Sequence, residues 1–119
     1  MGYRSEVKSL VYGTSEQMAK FKTDNAELIE QLAEDFGNDI EQLNNGCYEI
    51  IYLDVSYSKW YDSYSEVIRW NNLLTFANEA ELMTEFVRIG EETGDIEQEY
   101  SQTDCEYYLE TVSTINANF

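Results

Sequence analysis

Cys47-Tyr48-Glu49-Ile50-Ile51-Tyr52-Leu53-Asp54-Val55-Ser56-Tyr57 is the stretch on which the fold turns. In an extended chain, Cys47, Ile51, Leu53, Val55 and Tyr57 fall largely on one side, and Tyr48, Ile50 and Tyr52 on the other. Both sides are apolar, so the expected element is a strand inside a sheet rather than at its edge. Just before it, Asn44-Asn45-Gly46 signals a sharp turn.

Upstream, Glu6 to Tyr12 is short, β-branched and stopped by Gly13, which reads as a first strand. Thr14 and Gln17 have the spacing of a capping box, in which hydroxyl and amide satisfy exposed N–H groups at a helix start. Met18, Phe21, Leu28, Ile29, Leu32 and Phe36 then recur at helical spacing up to Gly37. Thr23-Asp24-Asn25 marks a point where that helix breaks or re-caps, and Ile40 to Leu43 reads as a short helical turn.

Downstream, Ser63 and Glu66 suggest a second capping box, followed by a stripe of Val67, Trp70, Leu73, Leu74 and Ala77. Phe86 to Ile89 reads as a third strand closed by Gly90. Residues 91–105 read as an acidic loop with one helical turn around Ile96 to Tyr100. In Glu106 to Ile115, Tyr107, Leu109 and Thr111 alternate with Tyr108, Glu110 and Val112, the pattern of a fourth strand. The order βαβαββ implies an α+β fold: a four-stranded, mainly antiparallel sheet with two helices on one face. No linker or repeat interrupts residues 1–119, so one domain is expected.

Composition excludes several functions. The 119 residues contain 24 acids, 7 bases, no histidine and no proline, for a net charge of −17. Without histidine there is no Ser-His-Asp triad, no Cys-His pair and no imidazole zinc ligand. Direct nucleic-acid or anionic-membrane binding is not expected, because phosphate recognition needs clustered Lys and Arg. The longest apolar run, Ile50 to Leu53, is far short of the roughly 20 residues of a membrane span, and no signal-peptide core follows Met1. The expected location is the cytoplasm, where Cys47 and Cys105 read as two half-buried thiols. They can form a disulfide only if the fold brings their Cα atoms within about 7 Å.

Three segments, Met1-Gly2-Tyr3-Arg4-Ser5, Lys59-Trp60-Tyr61-Asp62-Ser63-Tyr64 and Glu85-Phe86-Val87-Arg88-Ile89-Gly90-Glu91, together resemble a family of small acidic proteins of tailed bacteriophages and prophages. Asp95-Ile96-Glu97 and the paired Tyr107-Tyr108 are similar too, although members of that family often show Pro where Ser65 stands here. The resemblance implies a phage or prophage origin and brings no settled activity with it.

Charge is distributed unevenly. Residues 1–24 hold four bases and three acids, a net of +1, so residues 25–119 carry −18. Glu91, Glu92, Asp95, Glu97, Glu99, Asp104, Glu106 and Glu110 form a stretch with no base, a candidate partner-binding surface that imitates a phosphate backbone. The alternative is that this charge serves only solubility. Divalent-cation binding is a weak option, since Asp95, Glu97 and Glu99 do not match an EF-hand loop, and no metal or cofactor is expected. Trp60, Tyr61, Asp62 and Tyr64 are the second candidate, as aromatic anchors in a loop. Their competing reading covers the end of the core, with Asp62 or Ser63 capping a helix. Arg88, in an apolar strand, is expected to pair with Glu85 or Glu91.

Catalysis is not expected, because the chain lacks a Gly-rich phosphate loop and carboxylate pairs arise by chance among so many acids. The sequence therefore points to a non-catalytic protein, for which the resemblance implies a phage or prophage origin. Its expected partner is a host protein with a basic groove, a nucleic-acid enzyme or a defence complex, which it binds and inhibits. The alternative is a phage accessory or assembly protein whose acidity is solubilising.

Overall fold

The first strand is also the middle one. The computed structural model describes residues 3–92, 94–101, 109–111 and 115–117. Along it run β1 (Ser5–Gly13), α1 (Ser15–Asp24), α2 (Ala26–Phe36), a 3-10 turn (Gly37–Asp39), β2 (Ile40–Asn44) and β3 (Glu49–Ser58). These are followed by α3 (Ser65–Glu79), β4 (Met83–Gly90), β5 (Ile96–Tyr100), β6 (Leu109–Thr111) and β7 (Ile115–Ala117). The main sheet has the order β2-β3-β1-β4-β5 with every pair antiparallel, while β6 and β7 form a separate two-stranded ribbon, β6 lying against β4. No helix among the described residues is long and apolar enough to cross a membrane.

The α+β class stands, but the expected count of four strands and two helices is overturned: among the described residues the sheet has five strands and is covered by three helices. Ile40 to Leu43, expected as a helical turn, is strand β2, and the expected turn around Ile96 to Tyr100 is strand β5. Both are edge strands, which bury little and so lack the two-sided apolar pattern of β3. The long first helix is two, because Asn25 leaves helical geometry at φ −121° and ψ 27°, and its Nδ2 joins its backbone N–H on the Phe21 carbonyl at 3.0 Å to cap α1. Of the expected strand Glu106–Ile115, Leu109–Thr111 pairs with Ile115–Ala117 outside the main sheet, and residues 106–108 and 112–114 lie outside the described residues.

Two layers result. Val7, Val11, Ile51, Leu53, Val55 and Phe86 face the helices and pack on Met18, Phe21, Leu32, Val67, Trp70 and Leu73. On the opposite face Leu10, Tyr12, Ile50, Tyr52 and Val87 form a second buried cluster. That face also carries a polar row, in which the Tyr12 hydroxyl donates to buried Glu85 at 3.1 Å and Lys8 lies 3.9 Å from Asp54. Burial, with the negative charge of Asp54 beside it, raises the pKa of the Tyr52 phenol. Between α2 and α3, Arg69 grips Asp35 with both Nε and Nη2, the latter at 2.7 Å, and holds that carboxyl below the usual range.

The local signals at the helix starts fared differently. Thr14 Oγ1 accepts from the Gln17 N–H at 3.2 Å and Gln17 Oε1 from the Thr14 N–H at 3.0 Å, a complete capping box. Ser63 and Glu66 do not form one: α3 begins at Ser65 after Tyr64, with no side-chain cap. The Tyr64 N–H instead closes a turn on the Tyr61 carbonyl at 2.9 Å, so the aromatic loop winds directly into the helix. The β2–β3 hairpin turns at Gly46, whose φ of 92° suits glycine, while Asn45 Oδ1 accepts from the N–H groups of Cys47 and Tyr48. Cys47 is thus an exposed turn residue rather than a half-buried strand residue, and Cys105 lies outside the described residues.

Candidate functional site

Arg88 organises the acidic end of the sheet. It stands on β4 opposite Glu97 of β5, near Ser5 at the start of β1. Its Nη2 donates to Asp95 Oδ1 at 2.8 Å, its Nε to Glu97 Oε1 at 2.9 Å and its Nη1 to Ser5 Oγ at 3.0 Å. The expected partners Glu85 and Glu91 are therefore replaced by Asp95 and Glu97. Glu85 points to the opposite face of the sheet, and Glu91 accepts the Arg4 backbone N–H at 2.8 Å. Burial works against the guanidinium charge, but the hydrogen bonds to Asp95 and Glu97 outweigh it and raise the Arg88 pKa.

Asp95 is held from two sides. Besides Arg88, it accepts the Tyr3 hydroxyl, and these two hydrogen bonds keep its carboxyl below the usual range. The same contact raises the Tyr3 phenol. Tyr3 Oη also accepts the Glu92 N–H at 2.9 Å, and the Tyr3 backbone N–H donates to Tyr61 Oη at 2.6 Å. The chain at residue 3, the loop at 92–95 and the aromatic loop at 61 are thus tied at one point. Gly90 lies beneath: a Cβ there would collide with the Asp95 carboxylate and the Tyr3 ring, so only glycine lets the three close together.

Of the expected acidic surface, Asp95 and Glu97 are engaged by Arg88 and Glu91 by the Arg4 backbone, while Glu92 and Glu99 are exposed. Glu110 is in β6, and Asp104 and Glu106 lie outside the described residues. Carboxylates one helical turn apart do not occur here, because β5 is a strand. Glu97 and Glu99 share a side of it, roughly 6.7 Å apart along the chain.

The aromatic loop divides in the same way. Trp60 is core, 9% exposed, with its ring 6.0 Å from Phe36 and 6.1 Å from Phe86. Tyr61 meets Tyr64 edge to face at 5.1 Å, Tyr64 is 37% exposed, and Asp62 faces solvent.

The two halves of the expected site meet in one groove of about 400 Å³ between α3 and β5. Asp62, Glu97 and Glu99 line it with Asn71, Thr75 and Asn78 of α3, and Trp60, Leu74 and Phe86 supply its apolar surface. Sequence reading overlooked the α3 residues, although Asn71 and Asn78 flank an otherwise apolar stripe and so had to face something other than the core. Among the described residues no three His, Cys, Asp or Glu side chains gather closely enough to hold a metal ion. Carboxylates and side-chain amides over a small apolar floor suit a guanidinium or ammonium group.

Comparison with known proteins returned no significant match: no family model fits the sequence, and neither a curated protein nor a solved structure is similar to it.

Proposed function

We propose that this chain is a non-catalytic binding protein of phage or prophage origin. Its acidic edge engages a basic groove on a host nucleic-acid enzyme or defence complex and inhibits it. The observation that carries the reading is the α3–β5 groove, where Asp62, Glu97 and Glu99 converge around Trp60 and Phe86. A partner's Lys or Arg would set its charge between the exposed Asp62 and Glu99, beside the Glu97 that Arg88 engages. Glu92 extends the negative field beyond the groove and would speed encounter with a basic surface.

The test is a capture of partners from host lysate, followed by an activity assay of any nucleic-acid enzyme or defence complex retained. Asp95 is left intact because it holds the loop together. The triple variant D62N/E92Q/E99Q removes three exposed charges while sparing the Arg88 contacts. The wild-type chain should retain the enzyme at low salt, release it at high salt and lose to added nucleic acid in competition. The triple variant should bind at least tenfold more weakly with an unchanged circular dichroism spectrum. Equal binding by the variant would overturn the electrostatic reading. A chain that retains no such enzyme at low salt would leave the solubilising role of an accessory or assembly protein.

A further inference from the structure

The opposite edge of the sheet offers a different kind of surface. Alternation in an antiparallel ladder tells which backbone groups of β2 point outward. The Asn45 N–H donates to the Tyr48 carbonyl at 3.2 Å, which makes 45–48 a hydrogen-bonded pair. In the register Leu43↔Ile50 and Glu41↔Tyr52, Leu43 and Glu41 therefore turn their N–H and C=O groups toward β3, and Ile40, Gln42 and Asn44 turn theirs away from it. The same alternation carried across the sheet reproduces the bonds Gly90 N–H to Asp95 O and Ser101 N–H to Thr84 O at the far side. The Ile40 N–H closes the 3-10 turn on Gly37. What remains outward is the N–H of Gln42 and Asn44 and the C=O of Ile40, Gln42 and Asn44, and among the described residues no strand pairs with that side.

Charge selects the occupant. Residues 24–49 contain eight acids and no Lys or Arg; Arg69 engages Asp35 and Lys20 lies 3.7 Å from Asp24, while Glu41 stands exposed on β2 itself. A second copy would meet this edge with the same carboxylates on a chain of net charge −17, and like charges facing across a new strand pair are destabilising. A single charge in a short edge strand is a common guard against such self-pairing. The same Glu41 attracts a cation on an incoming strand.

We propose that the β2 edge takes up an extended basic segment of a partner protein as a sixth antiparallel strand. The geometry also sets its pattern. The residue opposite Gln42 shares two hydrogen bonds with it and places its side chain on the helix-covered face beside Ile40. The residue opposite Glu41 belongs to a non-hydrogen-bonded pair, in which side chains approach most closely. The segment is therefore Arg or Lys opposite Glu41, alternating with β-branched residues opposite Gln42. This surface is four inter-strand spacings, roughly 19 Å, from β5, so it is separate from the α3–β5 groove.

The test uses a capped heptapeptide of alternating Val and Arg in two N-methylated forms, one methylated on the Val amides and one on the Arg amides. Titration into the full chain at low salt should show the unmodified and Arg-methylated peptides binding alike, with the Val-methylated peptide at least tenfold weaker. Amide exchange at Gln42 and Asn44 should slow at least tenfold on binding, and Glu41→Lys should weaken binding at least tenfold with the fold intact. If both methylated peptides bind alike, the attraction is charge alone and the proposal is overturned. Exchange protection at β5 in place of β2, no peptide binding, or sedimentation of the free chain as a dimer closed through β2 would overturn it as well.

Discussion

At the β5 edge Arg88 lies between Asp95 and Glu97, and Tyr3 closes over the same carboxylate from the start of the chain. On β2 Glu41 faces solvent, and residues 23 to 58 contain neither Lys nor Arg, so the cations that meet acids of this stretch, Arg69 at Asp35, Lys20 at Asp24 and Lys8 at Asp54, come from elsewhere in the chain. The sequence reading placed the partner surface at 91–110 because acids are densest there. Density is a poor measure of outward field once internal cations are counted, since Asp95 and Glu97 are largely committed to their own fold. The β2 flank has fewer acids per residue but does not neutralise them from within its own stretch.

The two edges are joined by Trp60, which lies between Phe36 beside β2 and Phe86 on β4. Breaking that link is expected to have the largest effect. Trp60→Ala should lower unfolding free energy by about 3–4 kcal/mol, read as a shift in urea midpoint at unchanged slope. Next in size, Arg88→Met keeps the apolar stem but leaves two carboxylates facing each other, and should cost about 2 kcal/mol by the same measurement.

Acid sharpens the contrast further. Asp95 and Asp35 have carboxyls depressed in the folded state by Arg88 with Tyr3 and by Arg69, respectively. Their contribution is fully present above the unfolded carboxyl pKa of about 4 and is lost as pH falls through the lower folded values. Thermal unfolding of the wild type should therefore decline steeply below about pH 4. Asp95→Asn should be weaker than wild type at pH 6 and decline less steeply in acid. The smallest effect belongs to the other edge: Glu41→Gln should leave the urea midpoint unchanged within error, because the Glu41 side chain is exposed and its backbone bonds to β3 are kept. A Glu41 variant that loses stability like Arg88→Met would erase the distinction between the edges.

Much of the frame was legible. Ile51, Leu53 and Val55 on one side and Ile50 and Tyr52 on the other marked β3 as an inner strand, and β1 and β2 do flank it. Thr14 and Gln17 announced α1 because a capping box is made of near neighbours. Edge strands gave weaker signals: Ile40 and Leu43 are three residues apart and imitate a helical turn, and β5 offers only Ile96 and Tyr100 around three polar residues. The Ser63–Glu66 spacing misled because a turn through Tyr61 and Tyr64 starts α3 instead. At the site, both halves of the groove were named in advance but not their meeting, since Asp62 and Glu97 are brought together only when α3 packs beside β5. The tie from Tyr3 to Asp95 spans 92 residues and left no trace in local spacing.

That β1 is made early yet lies in the middle of the sheet has a consequence for synthesis. Its two neighbours, β3 and β4, end at residues 58 and 90, so the sheet cannot close around it until the ribosome has added 77 residues beyond Gly13. At roughly 5–20 residues per second that is about 4–15 s before Val7, Leu10 and Val11 have both neighbouring strands. The nascent chain crosses this interval carrying nine acids and no base between Lys22 and Lys59, and mutual repulsion keeps the waiting strands of neighbouring chains apart.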